Sequence, residues 1–144
     1  MPTGEDPEKL LPLQVGSFIR ETIEIFAVAT GERIKYDKLR FPPNIRENPI
    51  YASYRSGDSE VFVELGICGD SDAARKVLSI SNSETDREFP EARRLFVNDS
   101  EPSFLNTTTK LGAFMAWTRC GYYFSAHAKG GEADLDGFMK AFPY

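Results

Sequence analysis

The chain has 144 residues and a mass of 16.2 kDa, the size of one ordinary domain. Its 41% hydrophobic and 12% aromatic content excludes a chain disordered throughout. Seventeen basic against 22 acidic residues give a net charge of −5, which argues against non-specific nucleic-acid binding, where phosphates must be neutralised. No apolar run approaches the ~20 residues of a membrane-spanning helix, and no internal repeat occurs. The expected organisation is a flexible segment over 1–9 followed by a single domain over 10–144.

Met1 to Lys9 is polar, has two prolines, and lacks the basic and apolar regions of a signal peptide. Two readings stay open: a flexible cytosolic start, or a point just downstream of a removed anchor or signal. Leu10-Leu11-Pro12-Leu13 is an apolar staple before the first regular element. The β-branched residues of 15–28 predict extended structure. Val15, Ser17, Ile19, Glu21, Ile23, Ile25 and Ala27 share one parity, with Phe18 and Phe26 on the other. Gly31 marks a turn. Residues 37–49, with Phe41-Pro42-Pro43 and Asn48-Pro49, read as a loop. A strand over 50–54 and a hairpin turn over 55–59 lead into the clearest strand, 60–68. There Val61, Val63, Leu65 and Ile67 line one face, and Phe62, Glu64, Gly66 and Cys68 the other.

A helix is expected over about 70–82, capped by Asp70, Ser71 or Asp72, with an apolar stripe of Ala73, Val77, Leu78 and Ile80. Strands follow at 92–97, 104–109 and 112–118. A tight turn at 119–121 and a return strand at 122–128 complete a hairpin. Ala133, Leu135, Phe138, Met139 and Phe142 predict a helix over 132–141. Strands in runs with few helices point to the α+β class. The expected architecture is a mostly antiparallel sheet of about six strands with helices packed on one face.

The sequence holds no nucleophile elbow, phosphate-binding loop, dinucleotide fingerprint or zinc-protease motif, so neither a cofactor nor a catalytic residue is assigned. Cys68, Cys120 and the single histidine, His127, fall short of the about four ligands a zinc site needs. Strand spacing keeps Cys120 from His127. The two cysteines either form a disulfide or remain thiols in the core. Asp70, Asp72, Glu84, Asp86, Glu88 and Glu91 form an acidic edge, read as a solvated helix face and caps rather than a metal site. The aromatic set is more informative. Tyr51, Tyr54, Phe62, Phe114, Trp117, Tyr122, Tyr123 and Phe124 all fall on expected strands, and most belong to the core. A partly covered sheet face would leave some of them lining a groove. The candidate ligand-binding residues are therefore Tyr51, Tyr54, Trp117, Tyr123 and His127.

Four stretches together resemble a known group: Leu11-Pro12 through Val15-Gly16, Phe18 and Arg20; Tyr51-Ala52-Ser53-Tyr54 before a turn and Val61-Phe62-Val63; Ser71-Asp72-Ala73-Ala74; and Ala116-Trp117-Thr118-Arg119 with Gly121-Tyr122-Tyr123-Phe124. The pattern is similar to small extracytoplasmic domains of bacterial membrane-anchored proteins and lipoproteins of unknown function, and the topology to the Mog1/PsbP-like α/β/α sandwich. The resemblance implies a non-catalytic binding or interaction domain, the soluble extracytoplasmic part of a membrane-associated protein. Its partner would be a protein or a small molecule rather than nucleic acid, with membrane contact only through an anchor outside this sequence. A small enzyme with a cleft invisible in sequence, and a cytosolic interaction or assembly factor of the same fold, are the alternatives. The Pro-rich stretch 41–49 departs from the resemblance.

Overall fold

The computed structural model describes residues 6–36, 48–88, 93–97, 104–109 and 112–144; most of the expected 37–49 loop lies outside them. The elements are α1 (Pro7–Leu10), β1 (Gln14–Val15), β2 (Phe18–Ala27), β3 (Glu32–Lys35), β4 (Ile50–Ser56), β5 (Ser59–Ile67), α2 (Ser71–Glu88), β6 (Arg93–Val97), β7 (Phe104–Thr109), β8 (Gly112–Arg119), β9 (Tyr122–Ala128) and α3 (Glu132–Ala141). Among the described residues, nine strands form one sheet in the order β1-β2-β4-β5-β9-β8-β7-β6, with β3 on β2. Every pairing is antiparallel, so the α+β expectation holds. The strands beyond the expected six or so come from the start of the chain: the extended stretch splits into β1 and β2, and β3 follows the Gly31 turn. No helix of the described residues is long and apolar enough to cross a membrane.

Two-residue turns set the registers. At Gly57-Asp58 the chain reverses between Ser56 and Ser59, with Gly57 at φ 59° supplying the left-handed conformation the turn needs. On β5 the alternation is as expected: Val61, Val63, Leu65 and Ile67 are all buried. They join Ile50, Ala52 and Tyr54 of β4 and Phe124, Ala126 and Ala128 of β9 in one core. α3 seals that core from above, packing on β5, β8 and β9 through Leu135 and Phe138. Phe138 meets Phe18 and Tyr54 edge-on at centroid distances of 5.4 and 5.1 Å, geometries that aromatic quadrupoles favour. Within the segment expected to be a flexible lead, Asp6 caps a single helical turn, accepting from the Glu8 amide at 3.1 Å. That turn delivers Leu10 and Leu11 into the same core.

The single parity expected for 15–28 does not survive. Between Arg20 and Thr22 the register against β4 slips, with Arg20 opposite Tyr54 and Thr22 opposite Ser53. The extra residue reverses the alternation. Phe18 is therefore buried before the bulge and Ile23 and Ile25 after it, while Ile19 is left exposed.

α2 corrects a second expectation. It packs on β8 and β9 from the side opposite α3, so helices lie on both faces of the sheet rather than one. Asp70 caps it as expected, accepting from the Ala73 amide at 2.8 Å. Its buried stripe is Ala74 and Leu78, one helical turn apart, while Val77 and Ile80 face outward. It also runs past the expected end, to Glu88.

Val63→Ala removes two methyl groups from a fully buried position of the core. It should cost about 1–3 kcal/mol in denaturant unfolding, with Phe62→Ala, on the opposite face of the same strand, costing clearly less.

Candidate functional site

The sheet face opposite α3 is covered unevenly. Over β8 and β9 it is closed by α2, where Leu78 packs with Ala116 and Tyr123, and with the partly buried Cys68 and Phe114. Over β4 and β5, no helix of the described residues packs on this side. Period-2 alternation assigns to this face all the residues that the core leaves over. The registers line them up in two rows across the sheet. One row runs Thr22, Ser53, Phe62, His127, Phe114; the next runs Glu24, Tyr51, Glu64, Ser125, Ala116.

Glu64 is the centre of the second row. The Tyr51 hydroxyl donates to its Oε1 at 3.5 Å, and the Ser125 hydroxyl to Oε2 at 3.3 Å. Partial burial and the neighbouring Glu64 carboxylate both push the Tyr51 phenol above its ordinary value, because each disfavours the phenolate. The Arg33 guanidinium lies 4.9 Å from the centre of the Tyr51 ring and 3.7 Å from Glu24. Lys129 Nζ stands 5.7 Å from the centre of the Phe62 ring. Two rings of this face are thus already approached by cations of the chain's own. At the edge, Arg55 bridges Glu21 at 2.9 Å and Glu60 at 2.6 Å.

Of the five candidate residues, Tyr51, Tyr123 and His127 share this face, and Tyr51 lies on the part that no described helix covers. Tyr123 is buried beneath α2, its hydroxyl donating to Ser81 Oγ at 3.1 Å, and burial drives its phenol far above the ordinary value. Tyr54 and Trp117 do not join them. Both are core residues on the α3 side, less than 2% exposed. The Tyr54 hydroxyl donates to the Pro12 carbonyl at 2.7 Å. The Trp117 indole donates to the Tyr144 carbonyl at 3.2 Å and stacks on Phe124 at 5.5 Å. Their large rings fill volume, and their polar tips satisfy backbone carbonyls. Sequence reasoning passed over Glu64, Ser125 and Arg33. Glu64 and Ser125 carried a usable signal, since both sit at the polar parity of an otherwise apolar strand. Arg33 carried none, because β3 was not expected.

A cysteine–histidine pair does not form. His127 is opposite Phe62, six residues along β5 from Cys68, about 20 Å at ~3.4 Å per residue. No group of three or more metal-ligating side chains occurs among the described residues. The side chains of Glu84, Asp86, Glu88 and Glu91 in the expected acidic edge lie outside those residues. Among the described residues, an open depression beside Asp72, Arg75, Lys76, Ser79 and Ile80 is walled by α2. No protein-family model matches this chain, and no curated protein and no solved structure matches it either.

Tyr51 should titrate above the ordinary phenol value of about 10, and Glu64→Gln should lower it part of the way, leaving the effect of burial. Because the folded state prefers the neutral phenol, the associated stability is present below pH ~10 and is lost as pH rises beyond it. Carbon-detected tyrosine NMR across that range checks both. An unchanged Tyr51 titration in the Gln variant would remove Glu64 as a cause.

Proposed function

We propose that this chain is a non-catalytic binding domain that engages its ligand through the part of the sheet face that no described helix covers, over Tyr51, Phe62 and Glu64. One observation carries the reading: among the described helices, α2 alone packs on this face, over β8 and β9, and beside it two aromatic rings and a carboxylate are aligned on neighbouring strands. An exposed ring beside polar groups that fix orientation is what a recognition surface requires. The rings already receive a guanidinium and an ammonium from Arg33 and Lys129, and Glu64 stands between them. The ligand that fits is a protein segment or small molecule carrying a cationic group.

Titrating isotope-labelled protein with short lysine- and arginine-containing peptides, against matched glutamate-containing ones, tests this. Amide shifts should appear at Tyr51, Phe62, Glu64 and Ser125 with the basic set only. The double change Tyr51→Ala and Glu64→Gln should weaken binding about tenfold or more, roughly 1.4 kcal/mol. Binding by neither set, or shifts confined to other surfaces, would overturn the reading.

The same proposal takes the domain to be the soluble extracytoplasmic part of a membrane-associated protein. Its support is the short-motif resemblance to such domains. Fractionation of the source cell, probed for the full-length product, is the check. Recovery in the cytosol would leave the sheet-face reading standing and remove this part.

A further inference from the structure

Tyr51 stands between two carboxylates. Its register partner on β2 is Glu24 and its partner on β5 is Glu64. All three share one row, so the phenol ring has a carboxylate on the neighbouring strand at either side, each strand ~4.8 Å away. An aromatic ring flanked by anionic groups attracts a cation twice over, through the ring quadrupole and through the carboxylates. The chain meets that demand with an arginine of its own. Arg33 lies on β3 opposite Phe26, two residues from Glu24 along β2 and hence on the same side of the sheet. From there its side chain leans across β2, bringing the guanidinium 4.9 Å from the Tyr51 ring centre and 3.7 Å from the Glu24 carboxylate.

The hold on Arg33 is light. β3 has four residues, all exposed, and among the described strands it pairs with β2 alone. The Arg33 side chain is 62% exposed. Its ion pair with Glu24 is therefore screened by water and contributes little. Rotation about its own side-chain bonds frees it without moving the strand. Glu24 then keeps a cation as its neighbour, because Lys35 is its register partner on β3. The site also selects the type of cation. A guanidinium is planar and carries five donors, so it can lie against a ring and still face a carboxylate, as Arg33 does. An ammonium is a compact point charge. The Lys129 ammonium rides instead above Phe62, whose register partners, Ser53 and His127, are not carboxylates.

We propose that the partner of this face is a protein segment that presents an arginine side chain, which takes the place of Arg33 over Tyr51, between Glu24 and Glu64. The inference rests on the binding reading and adds to it the chemistry of the ligand and the residue that competes with it. Arg33 is an internal occupant. In the free protein it neutralises the Glu24 side of the site and sits over the ring, so an incoming cation must outcompete it. A partner guanidinium that gains further contacts along the row does so, and a lone ammonium does not.

The test titrates an arginine-containing peptide and its lysine twin into the wild-type chain and into Arg33→Gln, with tyrosine NMR following Tyr51. The arginine peptide should bind the wild-type chain about threefold or more tightly than the lysine peptide. Arg33→Gln, a change at an exposed position of the edge strand, should raise affinity for the arginine peptide roughly two- to fivefold, the worth of one exposed cation–π contact. Without peptide, Arg33→Gln should move the Tyr51 titration upward, because the nearby guanidinium favours the phenolate. Saturating arginine peptide should bring it back down, a signature that binding elsewhere on the protein would not give. Unchanged or weaker binding of the arginine peptide to Arg33→Gln, or equal affinity for the two peptides, would overturn this inference and leave the binding reading standing. Binding of neither peptide to either protein would overturn the reading itself, and this inference with it.

Discussion

The pairing of β5 with β9 is the constraint from which the rest of the architecture follows. Seven consecutive partners, from Val61 with Ala128 to Ile67 with Tyr122, hold these strands side by side in the middle of the sheet. Alternation sends Val61, Val63, Leu65 and Ile67 with Phe124, Ala126 and Ala128 to one side. It sends Phe62, Glu64 and Gly66 with Tyr123, Ser125 and His127 to the other. The first set is apolar and recruits α3. The second is mixed and recruits α2 only where Ala116 and Tyr123 offer it an apolar seat. A slip of one residue in this pair would exchange the two faces and bury Glu64 without water.

That division also explains why tyrosines of similar sequence context have different roles. Tyr51 and Tyr54 are three positions apart on one strand, so they point to opposite faces. Tyr54 is sealed under Phe138, and its hydroxyl is taken by a backbone carbonyl. Tyr51 shares its hydroxyl with Glu64 and its ring with Arg33. A buried phenol matched to a carbonyl is structural. A half-buried phenol beside a carboxylate and a cation keeps groups that a ligand can engage.

The chain ends contribute more to the core than their position suggests. Gly16, at φ 58°, turns the chain from β1 into β2, and a Cβ there would lie 2.9 Å from Ala141 Cβ, so the first hairpin packs closely on the end of α3. The Tyr144 hydroxyl donates to the Lys9 carbonyl at 3.2 Å, joining the last residue to the first helical turn. The core is closed by residues far apart in sequence.

Local rules were enough wherever a signal and its response lie within a few residues. The alternation of 61–67, the Gly57-Asp58 reversal, the Asp70 cap and the 132–141 helix were all legible, because each depends on backbone geometry or on a neighbour at fixed spacing. The sequence also determined the α+β class and the division of β5 into an apolar and a polar face. The tertiary structure decided what depends on a distant partner. The β2 bulge brings Phe18 and Ile23 to the same core, a demand set by β4 and α3 and invisible in a ten-residue window. The stripe of α2 is Ala74 and Leu78, because its rotation is fixed by Ala116 and Tyr123, over 40 residues away on average. Tyr54 and Trp117 separate from Tyr51 because parity says which residues share a face, while only the packed helices say which face is closed.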